Sequence, residues 1–213
     1  MRFLCLSDIH GYADALDVVL EEAKHWGYDK LVVCGDLLFP GPTPLKVWKR
    51  LVEAQALCVQ GLTDKAISEL DPDELSATTD DERARLERLE QLHGELGDLI
   101  LERLRRLPTQ ARLPLESGHE MLITHGSPAD PTVGLTHDLT DEELYALIGD
   151  DPADLIICGG DHVPFQRVLE DCRIVGVGSV GEAPTRGVAY ATIVTSTPTQ
   201  TSIEQKEVEL TVR

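Results

Sequence analysis

Leu4-Cys5-Leu6-Ser7-Asp8-Ile9-His10-Gly11 is the stretch whose reading decides the fold. The apolar run from Phe3 to Leu6 predicts a buried strand. It stops at a serine, then offers a carboxylate, a spacer, an imidazole and a glycine. Alternate residues of a strand share a face, so Asp8 and His10 can aim at one point beyond its carboxyl end. That is half of a metal site, and the rest of the chain is read for the other half.

Outward from this stretch, strands and helices alternate. Apolar residues at Ala13, Leu16, Val19, Leu20, Ala23 and Trp26 follow a helical period, and Gly27 closes the helix. Residues 31–34 form a second strand ending in Gly35-Asp36. Thr43 and Pro44 open the next helix as N-cap and first position, and it runs to about Ala54. Residues 56–59 are the third strand, ending in Gly61-Leu62-Thr63-Asp64. This order predicts a parallel α/β sheet, whose ligands sit beyond the carboxyl ends of the strands.

Residues 67–80 are acidic and broken at Asp71-Pro72, and a long helix is expected over about 81–107. Its apolar stripe runs through Leu86, Leu89, Leu92, Leu96, Leu99, Ile100, Leu104 and Leu107. Such stripes ordinarily face the core; a homodimer through the stripe is the alternative. The second half is strand-rich. Residues 111–115 and 120–124 form a hairpin ending in His125-Gly126, and Thr140 with Glu143 caps a helix running to Ile148. Residues 154–158 lead to Gly159-Gly160-Asp161-His162, and further strands are expected over 165–169, 173–177, 188–194 and 202–212.

At 213 residues, 42% hydrophobic and 27% charged, one globular domain is expected over 1–213, with residues 65–107 as a helical insertion or cap. No apolar run approaches the roughly 20 residues that span a bilayer. Met1-Arg2 leads straight into a strand rather than an export signal, so the expected compartment is the cytoplasm. Cys5, Cys34, Cys58 and Cys158, four of the five cysteines, lie in strand-like runs and are expected as buried thiols. A formal charge of −19 argues against nonspecific binding to nucleic acid or to anionic membranes. An anionic substrate needs a local exception to that field, and a divalent metal is the simplest one.

Five strand ends thus deliver Asp8/His10, Asp36, Asp64, His125 and Asp161/His162. In order and type they resemble the calcineurin-like metallophosphoesterases, which carry Asp-x-His, Gly-Asp, Gly-Asn-His, His-Gly and Gly-His-x-His. Gly178-Ser179-Val180-Gly181 resembles a turn of the small prokaryotic phosphodiesterase-like branch. The resemblance implies a four-layer α-β-β-α sandwich and a metal-dependent phosphoesterase. The implied activity is that of a phosphodiesterase hydrolysing a small phosphorylated substrate with hydroxide generated at the metal.

The resemblance also implies ligands. Asp8, His10, Asp36 and His162 would hold one ion. The second site would share Asp36 and use His125, but Leu62 stands at the asparagine position and Gly160 at the first histidine of the last motif. A mixed N/O set suits Mn, Fe, Zn or Ni, so one divalent ion is expected, with two as the alternative. Thr63 stands where family members carry a proton-donating histidine. His125, Thr63 and Asp64 are therefore the expected catalytic residues, and Arg186 is the expected contact to substrate phosphate. Asp64, Asp161, His137 and Asp138 are the residues that could refill the second site. If none does, the alternative is a degenerate member that binds metal or a phosphorylated ligand in a regulatory or scaffold role.

Overall fold

Side-chain alternation along β1 (Arg2–Leu6) sets the layers. Phe3 and Cys5 join an apolar cluster with Val32, Met121, Ile123, Ile157 and Val175, which lies between two sheets. Leu4 and Leu6 point the opposite way, into a cluster shared with helices. A strand buried on both faces carries no polar alternation, which is why residues 3–6 are uniformly apolar.

The computed structural model describes residues 1–210. One sheet runs β10-β9-β1-β2-β3, built from β1, β2 (Lys30–Val33), β3 (Leu57–Cys58), β9 (Val188–Thr197) and β10 (Gln200–Glu209). Its strands β1, β2 and β3 are parallel, as the alternating pattern predicts, while β9 and β10 return antiparallel. The expected strand over 202–212 is β10 up to Glu209, and residues 211–213 lie outside the described residues.

The second sheet runs β4-β5-β6-β8-β7, from β4 (Gln110–Pro114), β5 (Glu120–Thr124), β6 (Leu155–Cys158), β7 (Pro164–Val168) and β8 (Arg173–Val177). Helices α1 (Ala13–Trp26), α2 (Pro44–Glu53), α3 (Leu62–Glu69) and α4 (Asp80–Arg105) lie on the side of the first sheet. Helix α5 (Asp141–Ile148) covers the second, with Leu144 and Ile148 against Leu122 and Ile156. The order of layers is α-β-β-α, the expected sandwich.

Two details differ from the sequence pattern. Helix α3 begins within the residues expected as a strand-end loop, Leu62-Thr63-Asp64, and runs into the start of the expected helical insertion. In α4 the helix is interrupted at Gly97, whose φ of 69° is left-handed. The break shifts the helical phase: Leu99 is 69% exposed, whereas Leu101 is buried beside Leu89, Leu92, Leu96 and Leu104. Leu89, Leu92, Leu96 and Leu104 of the stripe pack into the chain's own core, with Ile100 and Leu107 partly buried against it. All five cysteines are free, and burial pushes the Cys5 and Cys58 thiols up to about 12.

The two sheets depend on the cluster between them. Phe3→Ala is expected to cost about 3–5 kcal/mol, the usual cost of emptying a buried phenyl site. Urea unfolding followed by circular dichroism checks this.

Candidate metal centre

The carboxyl ends of β1 and β2 are tied together by backbone hydrogen bonds. The Asp8 N–H donates to the Gly35 carbonyl, that of His10 to Asp36, and that of Gly11 to Leu37, at 2.9–3.1 Å. Pulled into this register, the chain turns left-handed at Asp8 (φ 53°), His10 (φ 51°) and Asp36 (φ 54°), and again at His162 (φ 62°) beyond β6. Among the described residues only Gln55 shares that conformation without being glycine. Asp and His tolerate it better than most side chains, yet each instance costs on the order of 1 kcal/mol or more and persists only where its surroundings fix it.

The left-handed turns aim four side chains at one place. His10 Nε2 lies 3.7 Å from Asp8 Oδ1, 3.8 Å from Asp36 Oδ2 and 3.3 Å from His162 Nε2. His162 Nε2 is 3.3 Å from Asp8 Oδ1. On the other side of Asp36, its Oδ2 is 3.5 Å from His125 Nε2. Two donor clusters result, Asp8/His10/His162 and Asp8/Asp36/His125.

The tautomers follow from the partners. His10 Nδ1 meets the Phe39 carbonyl, His125 Nδ1 the Cys34 carbonyl at 2.7 Å, and His162 Nδ1 the Glu182 carbonyl at 3.1 Å. A carbonyl only accepts, so all three Nδ1 atoms carry protons and turn their Nε2 lone pairs inward. Asp8 Oδ1 is buried and has no hydrogen-bond partner, while Asp8 Oδ2 accepts from the Gly160 N–H at 3.0 Å. Facing lone pairs beside an unpartnered buried carboxylate oxygen require a cation, either protons on the rings or a metal ion. The residues present therefore fit a divalent metal.

The charges respond to one another. Burial pushes the Asp8 carboxyl upward, but the His162 and His125 imidazoles outweigh it and hold the group below the usual carboxylate range. The Asp8 carboxylate raises His162 above its ordinary value, against its burial. Burial lowers His125, and the Asp36 and Asp8 carboxylates override it to leave a net rise.

Residues 1–198 match the profile of the calcineurin-like phosphoesterase superfamily domain. The chain belongs to that superfamily. No curated protein matches the chain. Among solved structures, a hypothetical protein from Pyrococcus horikoshii OT3 is 24% identical, with a TM-score of 0.81 over 98% of this chain and 88% of that one. A metallophosphoesterase from Sphaerobacter thermophilus is 24% identical, with a TM-score of 0.75 over 99% and 89%. The E. coli phosphoesterase Yfce is 20% identical, with a TM-score of 0.54 over 99% and 100%. These likenesses establish the fold, and metallophosphoesterases use divalent metals.

The remaining site residues fall into place against this family. Asp64, expected to be catalytic or a replacement ligand, has another task. Its Oδ2 accepts from the Asp36 and Gly61 N–H groups and its Oδ1 from Leu37, at 2.9–3.0 Å. Burial, with the nearby Asp36 charge adding, pushes it up to about 6. It holds the Asp36 loop, and its oxygens face that loop rather than the donors. Thr63 donates its N–H to Asp36 Oδ1 at 2.8 Å, freeing Asp36 Oδ2 to face both His10 and His125. Gly61 packs so closely that a Cβ there would lie 2.2 Å from Asp36 Oδ1.

Asp161 and His137 pair with each other, Oδ2 to Nδ1 at 2.8 Å, and Asp138 accepts from Thr136. Among the described residues neither they nor Asp64 join a donor cluster, so the structure does not bring them into the second site. Leu62 is 45% exposed. Gly160 has φ +79°, and a Cβ there would lie 3.4 Å from His125 Nε2: the position faces the second site but offers it no ligand. Arg186 is exposed, without an ion pair among the described residues.

Glu182 is a residue that sequence reasoning missed. Its Oε2 lies 3.7 Å from His10 Nε2, its carbonyl orients His162, and its N–H donates to Ser179 Oγ at 2.7 Å. Ser179 Oγ in turn donates to the Asp8 carbonyl at 2.8 Å. The available signal was its place directly after Gly178-Ser179-Val180-Gly181.

Removing the carboxylate of Asp64 leaves three buried N–H groups unpaired. Asp64→Ala is expected to cost about 2–4 kcal/mol in urea unfolding and to weaken Mn binding by calorimetry, because Asp36 loses its support. An unchanged metal affinity contradicts the positioning role.

Proposed function

We propose that the protein is a metal-dependent phosphoesterase, acting as a phosphodiesterase on a small phosphorylated substrate. The observation that carries this reading is the pair of adjoining donor clusters, Asp8/His10/His162 and Asp8/Asp36/His125, which share Asp8 and are linked by Asp36 Oδ2 at 3.8 Å from His10 Nε2. A divalent ion held there supplies Lewis acidity to a phosphoryl oxygen and lowers the pKa of water toward about 7.

The chain's own residues do the rest. Asp8 and Asp36 neutralise positive charge, and the carbonyls of Phe39, Cys34 and Glu182 fix the imidazole tautomers. His125, outside the complete donor set, is placed to donate a hydrogen bond to the phosphoryl group when protonated. Arg186 meets a substrate phosphate through its planar fork. In the overall reaction water adds to phosphorus, the ester P–O bond breaks, and one water proton ends on the departing alcohol oxygen. In this reading one ion (Mn, Fe, Zn or Ni) binds at the first site, and the second side contributes His125 beside the shared carboxylates of Asp8 and Asp36.

Leu62 and Gly160 favour a second reading, in which the same centre binds metal or a phosphorylated ligand without turnover in a regulatory or scaffold role. Two variants separate the readings. Asp36→Asn is expected to abolish Mn-stimulated hydrolysis of bis(p-nitrophenyl) phosphate, and turnover unchanged by it would sink the first reading. Leu62→Asn with Gly160→His restores both missing ligands. If the wild type is inactive and this double variant gains about 100-fold or more, the second reading holds.

A further inference from the structure

An apolar cavity of about 360 Å³ opens beside the metal centre, within the roughly 300–1,000 Å³ of small-molecule sites. Ala66 and Ile67 of α3, Leu70 and Leu75 of the segment after it, and Leu86 and Leu89 of α4 form most of its wall. Leu70 and Leu75 are 43% and 41% exposed, so the wall holds apolar surface that water now covers.

Two more wall residues, Phe39 and Thr63, join the cavity to the centre. The Phe39 carbonyl accepts a hydrogen bond from His10 Nδ1–H, and the Thr63 N–H donates to Asp36 Oδ1. The cavity therefore lies one residue away from two ligands of the first site. Thr63 Oγ1 is buried without a hydrogen-bond partner. At the rim, the Glu82 carboxylate is already occupied by Thr78 and Thr79. Arg85, also on the wall, makes no ion pair among the described residues.

We propose that this cavity binds the apolar, aromatic part of the substrate's alcohol group while the phosphorus sits at the metal centre, with Thr63 Oγ1 supplying the polar contact at the junction. The inference rests on the phosphoesterase reading and adds a substrate class to it: aryl or comparably flat apolar esters over small alkyl esters. Burial of an aryl ring against leucine side chains is the driving force, and Arg85 at the rim accommodates an acidic substituent on the ring.

Calorimetry on the full Mn-loaded chain with phenylphosphonate and methylphosphonate tests this without requiring turnover. Phenylphosphonate is expected to bind at least about 10-fold more tightly, the scale set by burying a ring. Ala66→Phe, an exposed position on the cavity wall, should narrow the ratio to about 2-fold without changing metal content; Ala77→Phe serves the same purpose if Ala66→Phe does not fold. Equal affinities in the wild type, no binding of phenylphosphonate, or a ratio that both variants leave untouched overturns the proposal. So does a change of oligomeric state in the variant by light scattering, which would assign the cavity to a second copy. Hydrolysis of phenyl and methyl phosphodiesters in parallel separates the two claims. Turnover with no aryl preference removes the cavity assignment and leaves the phosphoesterase reading. An aryl preference in binding with no turnover does the reverse.

Discussion

The centre depends on a backbone constraint, the left-handed conformation at Asp8, His10, Asp36 and His162. Extended backbone would send successive side chains to opposite faces of the sheet. A left-handed residue at each strand end breaks that alternation and folds the side chain back over the sheet edge. The conformational cost is met by bonds between loops: β1 to β2 through Asp8, His10 and Gly11, Asp36 to α3 through Asp64 and Thr63, and β6 to β1 through Gly160 and Asp8. Each loop is held by its neighbour, so the side chains at the strand ends are fixed by hydrogen bonds within the chain itself.

The fold was legible in the sequence, and so was the meeting of acidic and imidazole side chains at one end of the sheets, because both follow from strand ends. Asp8, His10, Asp36 and His162 each sit directly after an apolar run, and strand ends converge by construction in an α/β sheet. Asp64 was not legible in the same way. A carboxylate after a strand can face a metal or a backbone, and only tertiary placement shows that its partners are three N–H groups. Glu182 was hidden for a related reason: it follows the glycine turn after β8 rather than an Asp or His motif, and only folding brings it to His10. Helix α3 was missed because its first turn is the motif itself and its eight residues carry little apolar periodicity. The phase shift in α4 had a visible cue in Gly97, but a single glycine does not announce whether a helix continues or breaks.

The two halves of the centre are unequally furnished. The side nearer β1 has two carboxylates, two imidazoles and Glu182 close by. The side nearer β5 has His125 and the shared carboxylates, with Gly160 facing His125 Nε2. Leu62 exposes apolar area at the start of α3, the helix that also lines the apolar cavity through Thr63, Ala66 and Ile67. A cleft with one strong charged pole and an adjoining apolar wall suits a ligand with the same asymmetry, a phosphate joined to an apolar body.

The proposed single metal site, held by Asp8, His10, Asp36 and His162, implies a definite metal stoichiometry. Elemental analysis of the full chain, purified without chelator and then equilibrated with excess Mn and desalted, measures it directly. The account predicts close to one ion per chain, falling to near zero in His162→Ala. Two ions per chain, or one ion that survives His162→Ala, would contradict it.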